Sequence, residues 1–328
     1  VDKDSYKYYK TVKGAFGKRL KSVMVPSQDG ECTFTLKEGG RCPFLNDDNL
    51  CDLYIELGED KLCETCAEFP RFINDYGNIR EIGIAPSCKT AGELMFSYKD
   101  ELTFDTVEDN SLTLEPNDID AYTYMHLRQA RIVAFGIISD RDISIFERLM
   151  LYLDYAKRIQ KHLDAERDEL IAGVAKRFCG ADYREELLDR LKSRDEKLHG
   201  KRLIKGLRHF FDDFKGMEVI NPDWNIHVAR VRQFLDGLTD DSGLAAVMKT
   251  YHAGSEAFAH EYEQLAMYYV YRYMLDAVND YDILLKAKNA VIGILAVDIM
   301  AAANQASGCM PDFTMRVDIA HLYSRQFE

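Results

Sequence analysis

The stretch IFERLMLYLDYAKRIQKHL, residues 145–163, places apolar side chains at intervals of three and four residues. These side chains belong to Ile145, Leu149, Tyr152, Ala156, Ile159 and Leu163. Such spacing puts them on one face of an α-helix, which indicates a helix that buries this face against a core. Ser139 and Asp142 can each cap its start. We expect the helix to continue to Phe178 and to end at Gly180.

The residues after Gly180 repeat this helical pattern, and so do residues 117–138. Asn117 and Asp118 predict the start of a helix that reaches Ile138. Further helices are predicted at about 182–198, 201–215, 223–237, 243–279, 282–304 and 312–326. We therefore predict an all-helical bundle domain over residues 117–328, preceded by a connector at 97–116.

Residues 1–96 differ sharply from this helical part. They hold six of the eight cysteines and four of the seven prolines, which indicates a small, irregular, loop-rich unit. Two hairpins are predicted, one within ECTFTLKEGGRCPFL at 31–45 and one within RFINDYGNIREIGIA at 71–85. Between them, DNLCDLYIELG and DKLCETCAEF predict short helices that end at Gly58 and before Pro70. The predicted fold class is mainly α, with a small irregular cysteine-rich unit followed by a large helical bundle.

The clearest chemical signal of the first region is its set of six cysteines, Cys32, Cys42, Cys51, Cys63, Cys66 and Cys88. A CxxC pair with four further thiols favours a soft metal, as an iron–sulfur cluster or zinc, over magnesium or calcium. Buried structural thiols and disulfides are the alternatives, and disulfides would need an oxidising compartment. Ser87 is predicted to cap a helix with Cys88 in its first turn. Cys179 and Cys309 are predicted to be packing residues.

The composition argues against nucleic acid and membranes as partners. Lys+Arg 42 against Asp+Glu 55 gives a formal net charge of −13, which disfavours nonspecific binding to polyanions. The longest apolar stretch, residues 290–303, is interrupted by Asp298 and is short for a bilayer span, so a buried helix is predicted there. No secretory signal opens the chain, and we expect a cytoplasmic protein with reduced thiols. Because the sequence begins at Val1 and not at methionine, we also expect an upstream segment.

The residues around these cysteines resemble those of a known family. The matching pieces are Cys42-Pro43-Phe44-Leu45, Cys51 with Leu53-Tyr54, Leu62-Cys63 with Cys66, Phe69-Pro70-Arg71, and Ser87-Cys88. Together they are similar to the cysteine-rich segment of the flagellin lysine-N-methylase family, which is related to small zinc- or iron-chelating cysteine-rich proteins. The stretch MYYVYRYML at 267–275 resembles the helical half of that family more weakly.

The resemblance implies a bacterial enzyme that transfers methyl groups from S-adenosylmethionine to lysine side chains of flagellin, its protein partner. It also implies a metal or iron–sulfur centre on the six cysteines named above. The family carries a further cysteine cluster before a segment like DSYKYYKTVKGAFGKRL, residues 4–20, so we expect part of the centre upstream of Val1. The alternative interpretation is a noncatalytic metal-binding module that docks another protein.

Methyl transfer needs a neutral amine, because a protonated lysine has no lone pair with which to attack a sulfonium. Tyrosine hydroxyls or a carboxylate could orient that amine. A crowded group of tyrosines is formed by Tyr262, Tyr268, Tyr269, Tyr271 and Tyr273, of which helical spacing puts the first, third and fifth near one face. Tyr269, Tyr273 and Arg71 are candidates for binding the methyl donor. Core packing of the tyrosines, and pairing of Arg71 and Arg80 with surface acids, are the alternatives.

Two further polar features lie in the helical part. Asp298 is predicted to face outward at the rim of the bundle, with a charge held in a cleft as the alternative. His252, Glu256 and His260 recur every four residues and would share one helix face. A solvated polar face is favoured over a second metal site for these three.

Overall fold

The computed structural model describes residues 1–27, 32–109, 118–198, 202–214, 217, 219–308 and 310–327. By their contacts the residues form two compact units. The first contains residues 1–72 with 220–222, and the second contains residues 73–219 with 223–328. The boundary after Phe72 thus falls inside the stretch 1–96, which the sequence predicts as one unit.

The first unit is built from short elements. They are α1 (Lys3–Thr11), α2 (Gly14–Val23), β1 (Met24–Pro26), β2 (Cys32–Phe34), α3 (Asp52–Leu57) and α4 (Glu64–Glu68). Its core consists of Tyr9, Leu20, Phe44, Leu53 and Cys63, and the rings of Phe34 and Phe44 pack edge to face, 4.9 Å apart. The two helices predicted around the cysteines are confirmed as α3, which ends at Gly58, and α4, which ends before Pro70.

The hairpin predicted within residues 31–45 is wrong. β2 pairs antiparallel with the upstream strand β1, with Met24 opposite Phe34 and Pro26 opposite Cys32. A 3₁₀ turn at Glu38–Gly40 follows β2, and residues 41–45, predicted as the second strand, form a loop. Two constraints explain the change: Pro43 has no N–H to donate to a strand pair, and the amino group of Val1 donates a 2.8 Å hydrogen bond to the Cys32 carbonyl.

The second hairpin is confirmed. β3 (Arg71–Tyr76) pairs with β4 (Ile79–Ile84), and Gly77 in the connecting turn has φ +63°, a conformation that costs glycine nothing. Next comes α5 (Lys89–Ser97), for which Cys88 is the N-cap residue, and no side chain caps its start. The prediction that Ser87 caps this helix, with Cys88 in its first turn, is therefore wrong.

The rest of the second unit is helical, as predicted. Its helices are α6 (Ala121–Ile138), α7 (Ile145–Leu163), α8 (Ile171–Phe178), α9 (Ala181–Leu198), α10 (Arg202–Asp213), α11 (Asp223–Asp236), α12 (Asp241–Ser255), α13 (Ala259–Tyr273), α14 (Ala277–Asp280), α15 (Ile283–Ala306) and α16 (Phe313–Phe327). The predicted connector has no regular structure at 99–109, and its later residues lie outside the described part.

Two predicted helices are each divided in the structure. The helix expected to reach Phe178 ends at Leu163, because Glu166 adopts a left-handed conformation (φ +54°) and turns the chain into α8, which packs back on α6 and α7. Its start is capped by Ser144, whose side chain forms a reciprocal capping box with Glu147, and not by Ser139 or Asp142. The segment 243–279 is likewise divided into α12, α13 and α14 by two 3₁₀ turns.

The long apolar helix α15 is buried, as predicted. It packs against α7, α11, α12, α13 and α16. Within the described ranges, no helix has both the length and the apolar character needed to cross a membrane.

Helix α13 is buried although it carries charged residues. Arg316 of α16 holds the Glu261 carboxylate by two hydrogen bonds of 2.6 and 2.7 Å. Arg148 of α7 reaches Glu263 at 2.6 Å, and the half-exposed Arg141 reaches it at 2.8 Å. Since a buried charge is tolerated only when it is paired and hydrogen-bonded, these arginines fix which elements must surround α13.

We expect Glu263→Gln to destabilise the second unit. The substitution leaves the Arg148 guanidinium buried opposite a neutral amide, and removing one partner of a buried ion pair costs about 3 kcal/mol or more. Chemical denaturation followed through the single tryptophan, Trp224, would measure the free energy of unfolding.

Glu169→Gln is the matched control. The Arg167–Glu169 pair is 3.7 Å long and both side chains are more than half exposed, so its loss should cost less than about 1 kcal/mol. Equal effects of the two substitutions would contradict the importance assigned to Glu263.

Candidate functional site

Four of the predicted thiol ligands come together in the first unit. Cys63 is the N-cap residue of α4 and lies in the core of the unit, and Cys66 follows one turn later. Cys42 and Cys51 pack against the same core from the loop before α3. A backbone bridge between Leu45 and Cys51 closes that loop. We call Cys42, Cys51, Cys63 and Cys66 the thiol cluster.

The two thiols of the CxxC pair share a proton unequally. The thiol of Cys66 donates a hydrogen bond to the sulfur of Cys63, which lowers the pKa of Cys63 to about 6 despite its burial. The same hydrogen bond raises the pKa of Cys66, and burial and the charge of Cys63 raise it further. One sulfur of the cluster is therefore a thiolate at neutral pH, the form that acts as a nucleophile and a metal ligand.

The other two predicted ligands, Cys32 and Cys88, are not part of the thiol cluster. Cys32 is buried in the first unit, where burial raises the pKa of its thiol and the charges of the Val1 amino group and of Cys63 act on it in opposite directions. Cys88 belongs to the second unit, half-buried at the start of α5. Their membership in a common metal site stays a prediction.

The chemistry of the thiol cluster fits a soft metal, since it offers several sulfur donors and one of them is already ionised. Its arrangement is that of free thiols. Among the described residues, no three His, Cys, Asp or Glu side chains are placed so that they could hold a metal ion. The seven described cysteines are also free of disulfides. Cys179 is exposed, so its prediction as a packing residue is wrong, and Cys309 lies outside the described residues.

A second group of polar side chains lies inside the helical unit. Asp298 of α15 is 1% exposed, so the prediction that it faces outward at the rim is wrong. Both of its carboxylate oxygens accept hydrogen bonds from Nε2 of His252 on α12, at 3.1 and 3.0 Å. His252 is only partly solvated, because its side chain is 35% exposed and its ring is hydrogen-bonded to Asp298. We call this pair the His252–Asp298 dyad.

Two buried tyrosines extend the dyad. The hydroxyls of Tyr251 and Tyr262 lie 2.9 Å apart, and Tyr262 interacts with Asp298. Burial raises the pKa of Tyr262 well above 10, and the Asp298 charge raises it further, so its hydroxyl stays protonated. The Phe146 ring of α7 stacks on the His252 imidazole with centroids 4.6 Å apart.

The three residues expected to share a helix face do not do so. Ser255 ends α12 and a 3₁₀ turn over Glu256–Phe258 reorients the chain before α13. His260 consequently turns away from the dyad, and its Nε2 lies 2.9 Å from the Phe96 carbonyl. Within the described chain, these side chains therefore form no second metal site.

The candidate methyl-donor residues are found in both units. Tyr269 and Tyr273 of α13 stack with centroids 6.1 Å apart, and a Cβ at Gly293 of α15 would come within 2.9 Å of the Tyr269 hydroxyl. Arg71, in the first unit, donates to the Ala67 carbonyl at 2.9 Å. Arg80 pairs with Asp75 through two hydrogen bonds, which confirms the acid-pairing alternative for Arg80. Methyl-donor binding by the other three stays a prediction.

Sequence reasoning missed the dyad as a unit. The signal was present, since an aspartate within a buried apolar run needs a cationic or hydrogen-bonding partner. What the sequence did not provide was the crossing of α12 and α15, which brings residues 46 positions apart into contact. Phe146 and Tyr251 gave no separate signal, because both also fit a purely apolar core.

Comparison with known proteins identifies one family. The model of the FliB lysine N-methylase C-terminal domain matches residues 131–328. This range contains the dyad, the buried tyrosines and most of the described helices, while the thiol cluster lies before it. No curated protein and no solved structure matches the chain.

We expect Cys66→Ala to remove the acidic titration of Cys63. Without the donated hydrogen bond, its pKa should move from about 6 back towards 9, the ordinary value. Titration of the thiolate ultraviolet absorbance in reduced, metal-free protein would show this shift. Cys179→Ala, which removes an exposed thiol, is the control and should leave the acidic step in place.

The same shift has a consequence for stability in the wild-type protein. Between pH 6 and pH 9 the folded CxxC pair holds one proton while the unfolded pair holds two, so the free energy of unfolding should rise with pH. This stabilisation is lost as the pH falls through about 6. An equally steep rise in Cys66→Ala would contradict the hydrogen-bond assignment.

Proposed function

Because the chain belongs to the FliB lysine N-methylase family, we propose that it transfers methyl groups from S-adenosylmethionine to lysine side chains of flagellin. The observation that carries the proposal is the match of the family model to residues 131–328, which include the dyad and the tyrosines around it. The resemblance of the cysteine-rich residues to flagellin lysine-N-methylases supports flagellin as the substrate. The free thiols support a reducing, cytoplasmic setting.

The chemistry requires an amine that is neutral and oriented. Lysine has an unperturbed pKa of about 10.4, so nearly all of it is protonated near neutral pH and must lose a proton before it can attack. Burial of the lysine and a nearby proton acceptor both favour the loss of this proton. The helical unit offers a buried carboxylate, Asp298, and protonated hydroxyls on Tyr251 and Tyr262, which are groups suited to orienting an amine.

The thiol cluster is proposed to hold an iron–sulfur cluster, with zinc as the alternative. Cys42, Cys51, Cys63 and Cys66 are the first candidates, and Cys32 and Cys88 remain further candidates. Such a centre, when bound, would tie the cysteine-bearing loops together, which matters in a unit whose buried core is small. Of its ligands, Cys63 already carries the ionised sulfur that metal binding requires.

Tyr269 and Tyr273 of the second unit are proposed to bind the methyl donor, and Arg71 of the first unit stays a separate candidate for donor binding. The rings of the two tyrosines stack, and aromatic faces attract a sulfonium cation; Tyr273 is half-buried and Tyr269 is buried. The guanidinium of Arg71 is exposed and donates a hydrogen bond to the Ala67 carbonyl, and its remaining N–H groups can bind a carboxylate.

Methyl transfer itself is the first test of this function. Protein with its natural N-terminus, purified without oxygen, should transfer label from S-adenosylmethionine to flagellin, and mass spectrometry should place the label on lysines. Flagellin with its surface lysines replaced by arginine is the control and should stay unlabelled. Binding of flagellin without transfer would favour the noncatalytic metal-binding module.

Cys63→Ala combined with Cys66→Ala tests the metal proposal. We expect this double variant to lose its metal in elemental analysis and to exchange backbone amide hydrogens faster in the first unit, while the helical unit stays folded. Cys179→Ala should keep both properties of the wild-type protein. Unchanged metal content in the double variant would refute the assignment of these two ligands.

A further inference from the structure

We infer that His252, oriented by Asp298, accepts the proton that the substrate lysine must lose before methylation. This inference rests on the proposed function and adds a named proton acceptor to it. Four observations carry it: the hydrogen bonds of the dyad, the burial of Asp298, the aromatic ring beside the imidazole, and the charges around it.

The hydrogen bonds fix the state of the imidazole. Nε2 of His252 lies 3.1 and 3.0 Å from the two oxygens of Asp298, so it carries a hydrogen that the carboxylate accepts. In the neutral ring, Nδ1 is then the nitrogen with the free lone pair. Within the described residues Nδ1 makes no hydrogen bond, and the His252 side chain is 35% exposed. The imidazole is therefore partly accessible to a substrate.

The position of Asp298 is costly unless the carboxylate has a role. It is 1% exposed in the middle of an apolar helix, and a buried ion pair adds little stability over apolar packing of the same volume. A carboxylate placed behind an imidazole does two things for proton transfer. It selects the tautomer, and it stabilises the imidazolium formed when Nδ1 takes up a proton.

The aromatic ring that a lysine side chain can reach beside the imidazole is that of Phe146. This half-buried ring stacks on the imidazole with centroids 4.6 Å apart, whereas the Tyr251 ring, 5.6 Å from the imidazole, is fully buried. Aromatic faces pack against the methylene stem of lysine and attract its ammonium group. The substrate is thus drawn to the ring whose nitrogen removes its proton.

Two carboxylates act on Tyr251, the neighbour of His252. Asp298 of α15 has His252 as its partner, and Glu261 of α13 is neutralised by Arg316 of α16. The remaining titratable neighbours, Tyr251 and Tyr262, have pKa values raised by burial and stay neutral. Asp298 has no arginine partner among the described residues, and its charge favours an approaching cation.

The reaction consists of a proton transfer followed by a methyl transfer. Nδ1 of His252 takes one proton from the lysine ammonium, which gives a neutral amine and an imidazolium. The amine lone pair attacks the methyl carbon of the sulfonium donor, so an N–C bond forms as the C–S bond breaks and its electron pair stays on sulfur. The products are a neutral thioether and a methylated ammonium, and the imidazolium returns its proton to water.

His252→Gln tests the assignment, because glutamine can still donate to Asp298 but has no basic nitrogen. With saturating methyl donor, we expect methylation of flagellin at pH 7 to slow by about 100-fold with KM for flagellin unchanged, since general-base catalysis contributes 10²–10⁴-fold. The difference in rate between the wild-type protein and His252→Gln should decrease as the pH approaches the lysine pKa of about 10.4, because the substrate there loses its proton unaided. A merely structural role would lower the rate by the same factor at every pH.

His260→Gln is the matched control, because His260 is also part-buried and also makes one ring hydrogen bond, to Phe96, away from the dyad. It should keep the wild-type rate and pH profile. His252→Ala provides an independent measurement: added imidazole should restore part of its rate, and should not affect His260→Ala. If His252→Gln folds poorly, the rescue of His252→Ala by imidazole tests the role of His252 instead. The absence of this rescue would overturn the assignment.

The outcomes separate this inference from the proposed function. If the wild-type protein transfers no methyl group to flagellin, both the proposed function and the role of His252 are refuted. A wild-type protein that transfers methyl groups, with His252→Gln matching it at pH 7, leaves the function standing and overturns the role of His252. A pH-dependent loss in His252→Gln and imidazole rescue of His252→Ala support it.

Discussion

The helical unit depends on the pairing of carboxylates that are buried on α13. Glu261 and Glu263 are each about 4% exposed, which is tolerable only because arginines from α16 and α7 donate to them. These contacts join segments that are 55 and 115 residues apart in the chain. Hydrophobic packing provides most of the stability, but it is non-directional, whereas these pairs admit one arrangement of neighbours around α13.

The His252–Asp298 dyad follows the same rule with a different result. Its carboxylate is as deeply buried as those of α13, yet its partner is a histidine and not an arginine, and that partner is partly exposed. An arginine would neutralise the charge permanently, because it does not lose its proton in proteins. A histidine can exchange a proton near neutral pH. The dyad therefore has the kind of partner that the role inferred for His252 requires, one that can bind and release a proton.

The first unit meets the opposite problem, since it has few apolar residues to bury. Its core of five residues includes a cysteine, and polar contacts supplement it: Arg19 bonds Asp52 and the Pro43 carbonyl, and Tyr9 bonds the Lys61 carbonyl. Small units of this kind commonly need a metal or disulfides for stability. Three of the four thiols that we propose as metal ligands, Cys42, Cys51 and Cys63, already pack in or on this core.

The sequence by itself determined the helical class of the larger part, the second hairpin, the short helices beside the cysteines, and the resemblance to lysine methylases. These features are local, because each depends on residues that are close together in the sequence. The signals are the hydrophobic periodicity, the positions of Gly and Pro, and the residues next to the cysteines. Tertiary structure alone decided where helices break, as at Glu166, which strand β2 pairs with, and that Asp298 points inward to His252. Each of these depends on partners distant in the chain, and a periodic pattern states which face of a helix is buried but not what it is buried against.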